Sequence, residues 1–168
     1  SSAASDVYKR QTKILSLGRS AIVLVPEISL TPQTVSRFVG RFGQQVAVLH
    51  SRLKDGERYD QWQRIREGKT QIVVGARSAV FAPLNNLGLI VIDEEHETSY
   101  KQETSPRYNA REVAIKRAEI QGCVVILGSA TPSLESYYRA EQQTYQLLSI
   151  PNRVSTIEMP TVKVVDMR

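Results

Sequence analysis

At 168 residues, 41% hydrophobic and 23% charged, the chain has the size and composition of one ordinary globular domain. Its apolar runs fall well short of the ~20 residues a membrane-spanning helix needs, the first residues form no secretory leader, and a single cysteine, Cys123, points to a reducing, cytoplasmic setting without disulfides. The net charge of +5 suits a polyanionic partner but equally a solvated basic surface, and two histidines, His50 and His96, are too few for a convincing metal cluster.

Residues Ser1 to Gln11 are small, polar and patternless, and fit no element. Thr12 to Leu17 reads as the last turns of a helix stopped by Gly18. Ala21 to Val25 is the first clear strand, ending at Pro26-Glu27. Thr31 as N-cap with Pro32 at the first helical position then starts a helix, with Val35, Phe38, Val39 and Phe42 on one face and Gly43 as its stop. A strand at Gln45 to Leu49, a charged helix at about Gly56 to Glu67 with Trp62 as a core residue, and a strand at Gln71 to Val74 follow. Asn85-Asn86 turns the chain into the next strand.

That strand organises the sequence. Leu89, Ile90, Val91 and Ile92 form an apolar run of the kind buried on both faces of a parallel sheet. It delivers three adjacent carboxylates and a histidine, Asp93, Glu94, Glu95 and His96, at its carboxyl end, where open α/β sheets bind ligands. Three adjacent acids repel one another unless a cation sits among them, and magnesium on nucleotide phosphates meets that need with oxygen ligands. Residues 97–108 lack a helical or strand pattern and interleave tyrosines with basic residues. A helix at about Asn109 to Gln121 leads to a second buried strand, Cys123 to Leu127, which runs into Gly128-Ser129-Ala130-Thr131-Pro132. A helix at about Pro132 to Gln142 and strands at Tyr145 to Leu148 and Val162 to Val165 complete the reading. Strands and helices alternate at least four times, which predicts an α/β domain with a doubly wound, mostly parallel sheet and helices on both faces.

The loops at the strand ends carry a resemblance. LVPEISLTPQ, GARSAVFAP, VIDEEHETSYKQE, RYNAR and GSATPSLES, in that order, closely resemble the bacterial primosomal replication-restart helicases of superfamily 2 over roughly Thr12 to the C-terminus. The resemblance implies a RecA-like (P-loop NTPase) fold and the first, ATP-binding lobe of a 3′-to-5′ DNA helicase. It implies ATP and Mg²⁺ as cofactors, single-stranded and forked DNA and the other primosome and replication-restart proteins as partners, and a bacterial, nucleoid-associated location. By position, Asp93 resembles the Mg²⁺-linked acid and Glu94 the base that positions the attacking water, while Glu95 is either catalytic or structural. His96 with Ser129, Ala130 and Thr131 resembles the link that couples nucleotide state to the rest of the lobe. Pro26, Glu27, Thr31, Arg77 and Ser78 resemble the segments that lie along single-stranded DNA. Tyr100, Lys101, Arg107 and Tyr108 resemble an aromatic-rich loop that couples DNA binding to hydrolysis, its rings stacking on bases and its basic residues meeting phosphates.

The chain departs from the family at one motif. The phosphate-binding loop, G-x-x-G-x-G-K-T in the family, is expected before the first strand's preceding helix and reads as absent, with no G-K-[ST] expected anywhere in the chain. Ser1 to Gln11 stands in that region without a glycine and reads as a non-native stretch, leaving 12–168 as an incomplete lobe. The second lobe, the fork-binding domain and the zinc-binding insertion of the family lie outside this sequence, so zinc is not expected here. The expectation for the chain alone is no appreciable ATPase activity. The alternatives are a non-catalytic single-stranded-DNA-binding lobe or an inert fragment.

Overall fold

The computed structural model describes residues 14–150. A helical turn at residues 14–16 ends at Gly18, whose φ of 67° lies in the left-handed region that glycine tolerates. Five parallel strands follow: β1 (Ser20–Leu24), β2 (Val46–Leu49), β3 (Ile72–Gly75), β4 (Leu87–Ile92) and β7 (Val124–Leu127). They lie in the order β2-β3-β1-β4-β7. The order reverses direction around β1, as a doubly wound sheet requires.

The apolar strands explain the layers. In β1, Ile22 and Leu24 face one core while Ala21 and Val23 face the other, the period-2 alternation of a strand buried on both sides. The first core is closed by Ile65 from α2 (Asp55–Arg66) and by Ala110 and Ala114 from α3 (Ala110–Gln121). The second is closed by Phe38 from α1 (Pro32–Phe42). Thr31 caps α1, its hydroxyl accepting from the Thr34 amide at 3.2 Å, with Pro32 in the first turn as the sequence predicts. The face of α1 is narrower than its apolar spacing suggests: Phe38 is buried, but Val39 is exposed. Trp62 packs half-buried against the first core.

The expectations fail at three places. Residues 97–108 are ordered: a 3₁₀ turn (Thr98–Tyr100) leads into an antiparallel ribbon of β5 (Lys101–Gln102) and β6 (Tyr108–Asn109). Two-residue strands are too short to leave a periodic signal. Tyr145 to Leu148 is not a strand; it follows α4 (Leu134–Glu141) as irregular chain, because no strand among the described residues lies alongside it to pair with. Cys123 precedes β7 and is only half-buried. The strand expected at Val162 to Val165 lies outside the described residues. β7 is one edge of the sheet, and its first residue, Val124, is 59% exposed.

Candidate active site at the carboxyl edge of the sheet

Because the five strands are parallel, the turns after β1, β3, β4 and β7 all leave from one edge. Two of them join directly. The Gly128 amide donates to the Ile92 carbonyl at 2.8 Å, and the Glu95 amide donates to the Gly128 carbonyl at 3.0 Å. A Cβ on Gly128 would stand 3.6 Å from the Ile92 oxygen and 3.8 Å from Asp93 Oδ1, so the second turn runs close beneath the first. His96 Nδ1 lies 2.7 Å from Ser129 Oγ, which also accepts the Thr131 amide at 3.0 Å. The acid turn and the Ser-Ala-Thr turn therefore form one continuous rim, with Ala130 and Thr131 exposed on it.

The three acids meet different surroundings. Asp93 reaches solvent, and its Oδ1 accepts only the neighbouring Glu94 amide, at 3.2 Å. Partial desolvation raises its pKa, outweighing that hydrogen bond. Glu94 is half-exposed and adopts φ 46°, a left-handed conformation uncommon for a side-chain-bearing residue, and its carboxylate stands 3.7 Å from His96 Nδ1. Glu95 turns inward, with its side chain 1% exposed. It accepts from the Ser133 amide at 2.6 Å, Arg111 at 2.8 Å, the Ser136 hydroxyl at 2.9 Å and the Ser133 hydroxyl at 3.1 Å. Burial by itself pushes this carboxyl up, but these donors together hold it below the ordinary glutamate value. Of the two readings open for Glu95, catalytic or structural, the geometry corrects the first. Every oxygen it has is engaged inside the protein.

Arg111, Ser133 and Ser136 receive no role from the sequence. Arg111 lies in the RYNAR stretch and the two serines in GSATPSLES, so the signal is the arginine and serines flanking the motifs.

The residues expected along DNA divide in the same way. Lys101 and Arg107 are exposed on the β5–β6 ribbon, and Glu27, Thr31 and Ser78 are exposed on the rim. Tyr108 is half-buried, edge-on to Phe81 at 5.1 Å and beneath the Arg77 guanidinium at 5.9 Å. Arg77 donates to the carbonyls of Ser99 at 3.1 Å and Lys101 at 2.6 Å, so it ties the ribbon to the end of β3. Two expectations need correction. Tyr100 is 2% exposed and its hydroxyl donates to the Asp93 carbonyl at 2.6 Å, so its ring has no face to offer a base. Burial, and the neighbouring Asp93, Glu97 and Glu94 charges, push its phenol pKa up. Pro26 is buried and serves as the start of the 3₁₀ turn Glu27–Ser29 rather than as a contact surface.

The expectation that the chain holds no G-K-[ST] is corrected by Gly68-Lys69-Thr70, although this triplet does not supply a phosphate loop. It lies between α2 and the start of β3, at the edge opposite the acid turn. Lys69 pairs with Glu67 at 2.6 Å, and Thr70 is buried. Among the described residues no group of three histidine, cysteine or acidic side chains could by itself hold a metal ion, and no helix is long and apolar enough to cross a membrane.

The sequence profile of the DEAD/DEAH box helicases matches residues 7–140. Among curated relatives, "Replication restart protein PriA" of Bacillus subtilis is 61% identical, over 99% of this chain and 21% of its own length. The protein of the same name in Synechocystis is 52% identical, over 92% of this chain and 19% of its own length. In Chlamydia pneumoniae it is 45% identical, over 99% and 22%. The chain thus spans about a fifth of the length of these relatives. Among solved structures, the C-terminal domain of an S. cerevisiae Dbp5 variant bound to a Gle1 variant and IP6 superposes with a TM-score of 0.50 at 19% identity, covering 74% of this chain and 68% of that one. A longer form of the same complex gives 0.51 at 18% identity, covering 76% and 32%. These likenesses speak to the fold alone, and it is RecA-like, as the sequence reading expects.

Proposed function

Because the chain belongs to the DEAD/DEAH box helicase family, we propose that it forms the ATP-facing part of the first lobe of a 3′-to-5′ DNA helicase whose full protein restarts replication and assembles the primosome at stalled forks. The observation that supports this most is the shared rim: at the carboxyl edge of the sheet the turn that carries Asp93 and Glu94 is joined to the Gly128-Ser129-Ala130-Thr131 turn through the backbone of Ile92 and Glu95 and the side chain of His96.

The rim suits one end of a magnesium nucleotide. Asp93 offers a solvent-reaching carboxylate that is partly desolvated, a setting in which a hard cation relieves the cost of the charge. Bound ATP and Mg²⁺ supply the phosphoryl group and the positive charge that neutralises it. Asp93 would hold the ion, and Glu94 beside it would orient the attacking water and receive its proton. His96, in contact with Ser129 and near Glu94, passes a change at the acid to the Ser-Ala-Thr turn. The amides and lysine that cradle phosphates have no counterpart among the described residues, and the chain has no G-x-x-x-x-G-K-[ST] sequence. In this reading the chain alone hydrolyses no ATP.

Lys101 and Arg107 on the ribbon meet the phosphates of single-stranded DNA without sequence preference. The test is fluorescence anisotropy with labelled oligo(dT), alongside phosphate release by the same sample. The expected result is salt-sensitive binding, weakened by Lys101→Ala and Arg107→Ala together, with no phosphate released. Turnover by this chain that is abolished by Glu94→Gln would contradict the proposed inactivity. Failure to retain oligo(dT) at low salt would remove the nucleic-acid part.

A further inference from the structure

The ribbon is fastened at both ends. At its start, Tyr100 is locked beneath the acid turn by its bond to the Asp93 carbonyl. At its finish, β6 runs directly into α3, and the junction is stiff: Asn109 caps the helix, its Oδ1 accepting from the Arg111 amide at 2.9 Å. Arg111 is therefore rigidly joined to the ribbon through its backbone. Its side chain, 13% exposed, reaches inward instead of toward solvent.

There one nitrogen serves two elements. Arg111 Nη1 donates to Glu95 Oε2 at 2.8 Å and to Ser133 Oγ at 2.7 Å. Glu95 is the residue after Glu94, and Ser133 is two residues beyond Thr131, where it caps α4. The same guanidinium thus touches the acid turn and the segment after the Ser-Ala-Thr turn, while its backbone belongs to the ribbon. Neither hydrolysis nor DNA contact needs a buried arginine at this place. Its Nε is buried without a hydrogen-bond partner, 3.7 Å from the Glu112 carboxylate, whose same oxygen Arg139 approaches at 3.5 Å.

We propose that Arg111 is a positioning residue that carries the state of the β5–β6 ribbon to the acid turn through Glu95, and to the Ser-Ala-Thr side through Ser133. The inference rests on the reading of this rim as the nucleotide site and of the ribbon as the nucleic-acid contact. It assigns the coupling between them to one side chain. Lysine at this position keeps the charge but is a point donor without the planar fork, so it fills the site without joining both partners in fixed geometry.

The test needs no DNA. Arg77→Ala frees the ribbon from the end of β3 by removing its bonds to the Ser99 and Lys101 carbonyls. Hydrogen exchange at the Glu95 and Ser133 amides is then compared in the parent chain, Arg77→Ala, Arg111→Lys and the double variant, with thermal melts confirming that each is folded. A relay predicts that Arg77→Ala speeds exchange at both amides by about fivefold or more, the lower end of common coupling between sites, and that this response disappears in the Arg111→Lys background. A merely structural arginine gives additive effects, and additivity overturns the proposal. If Arg111→Lys unfolds the chain, Glu95→Gln replaces it in the cycle with the same two outcomes. A failed cycle beside intact oligo(dT) binding removes the relay and leaves the functional reading, and the opposite pair of results does the reverse.

Discussion

Two residues apart in the acid turn, Asp93 and Glu95 live in different solvents. Asp93 projects into water with one local hydrogen bond, whereas Glu95 is sealed beneath it with four donors from Arg111, Ser133 and Ser136. The contrast follows from the turn's geometry. With Glu94 at positive φ the backbone swings, and the side chains on either side of it leave in different directions. The lesson is that adjacent acids of one motif divide the labour. The outward carboxylate keeps an oxygen with no protein partner, as the proposed ion site needs, and the inward one holds the turn in place. Glu94, between them, is half-exposed, with His96 Nδ1 3.7 Å from its carboxylate.

The largest expected effect breaks the inner side. Glu95→Ala strands the Arg111 guanidinium in a buried site and should cost ~3–5 kcal/mol in chemical denaturation, as loss of one partner of a buried pair typically does. Arg111→Ala should cost a similar amount from the other direction. Acid sharpens the same comparison. The folded-state pKa of Glu95 lies below its ordinary 4.5, so its stabilisation is complete above that value and drains away as pH falls through the folded pKa. Glu95→Gln should therefore flatten the acid limb of the stability profile. Asp93 has the opposite sign: its raised pKa means the folded chain disfavours its charge, so Asp93→Asn should not remove that limb.

Smaller effects lie between the two. Tyr100→Phe removes the donor to the Asp93 carbonyl and should cost about 1 kcal/mol, the net worth of one hydrogen bond, without weakening oligo(dT) binding. A loss of binding with stability unchanged would restore Tyr100 as a stacking residue. The smallest change is Asp93→Asn at neutral pH, which should leave stability within about 0.5 kcal/mol of the parent, as surface substitutions do. If it destabilises as much as Glu95→Gln, the division between the two acids fails.

The sheet was legible because its central strands are buried on both faces. A run such as Leu89 to Ile92 is apolar throughout for that reason, and Thr31-Pro32 and Gly43 bracket α1 by mechanisms that act locally. Convergence of the acid and Ser-Ala-Thr turns was legible too, since parallel neighbours must deliver their ends to one edge. What escaped depends on contacts distant in sequence. No pattern states that Tyr100 folds under Asp93 while Tyr108 lies beneath Arg77, because alternating tyrosines look alike until the chain is closed. Arg111 and Ser133 meet Glu95 across 16 and 38 residues, and neither spacing leaves a periodic trace. Tyr145 to Leu148 has a strand's composition but no strand beside it among the described residues, and composition is silent about pairing partners.

Glu94, proposed to orient the attacking water, carries the central claim. Phosphate release by the full-length protein that carries this lobe, measured with single-stranded DNA, should fall by about 100-fold or more in Glu94→Gln, the scale on which a positioned acid or base acts, with the melting temperature unchanged. Turnover within a few-fold of the parent, in a variant that is folded and still binds DNA, would contradict it.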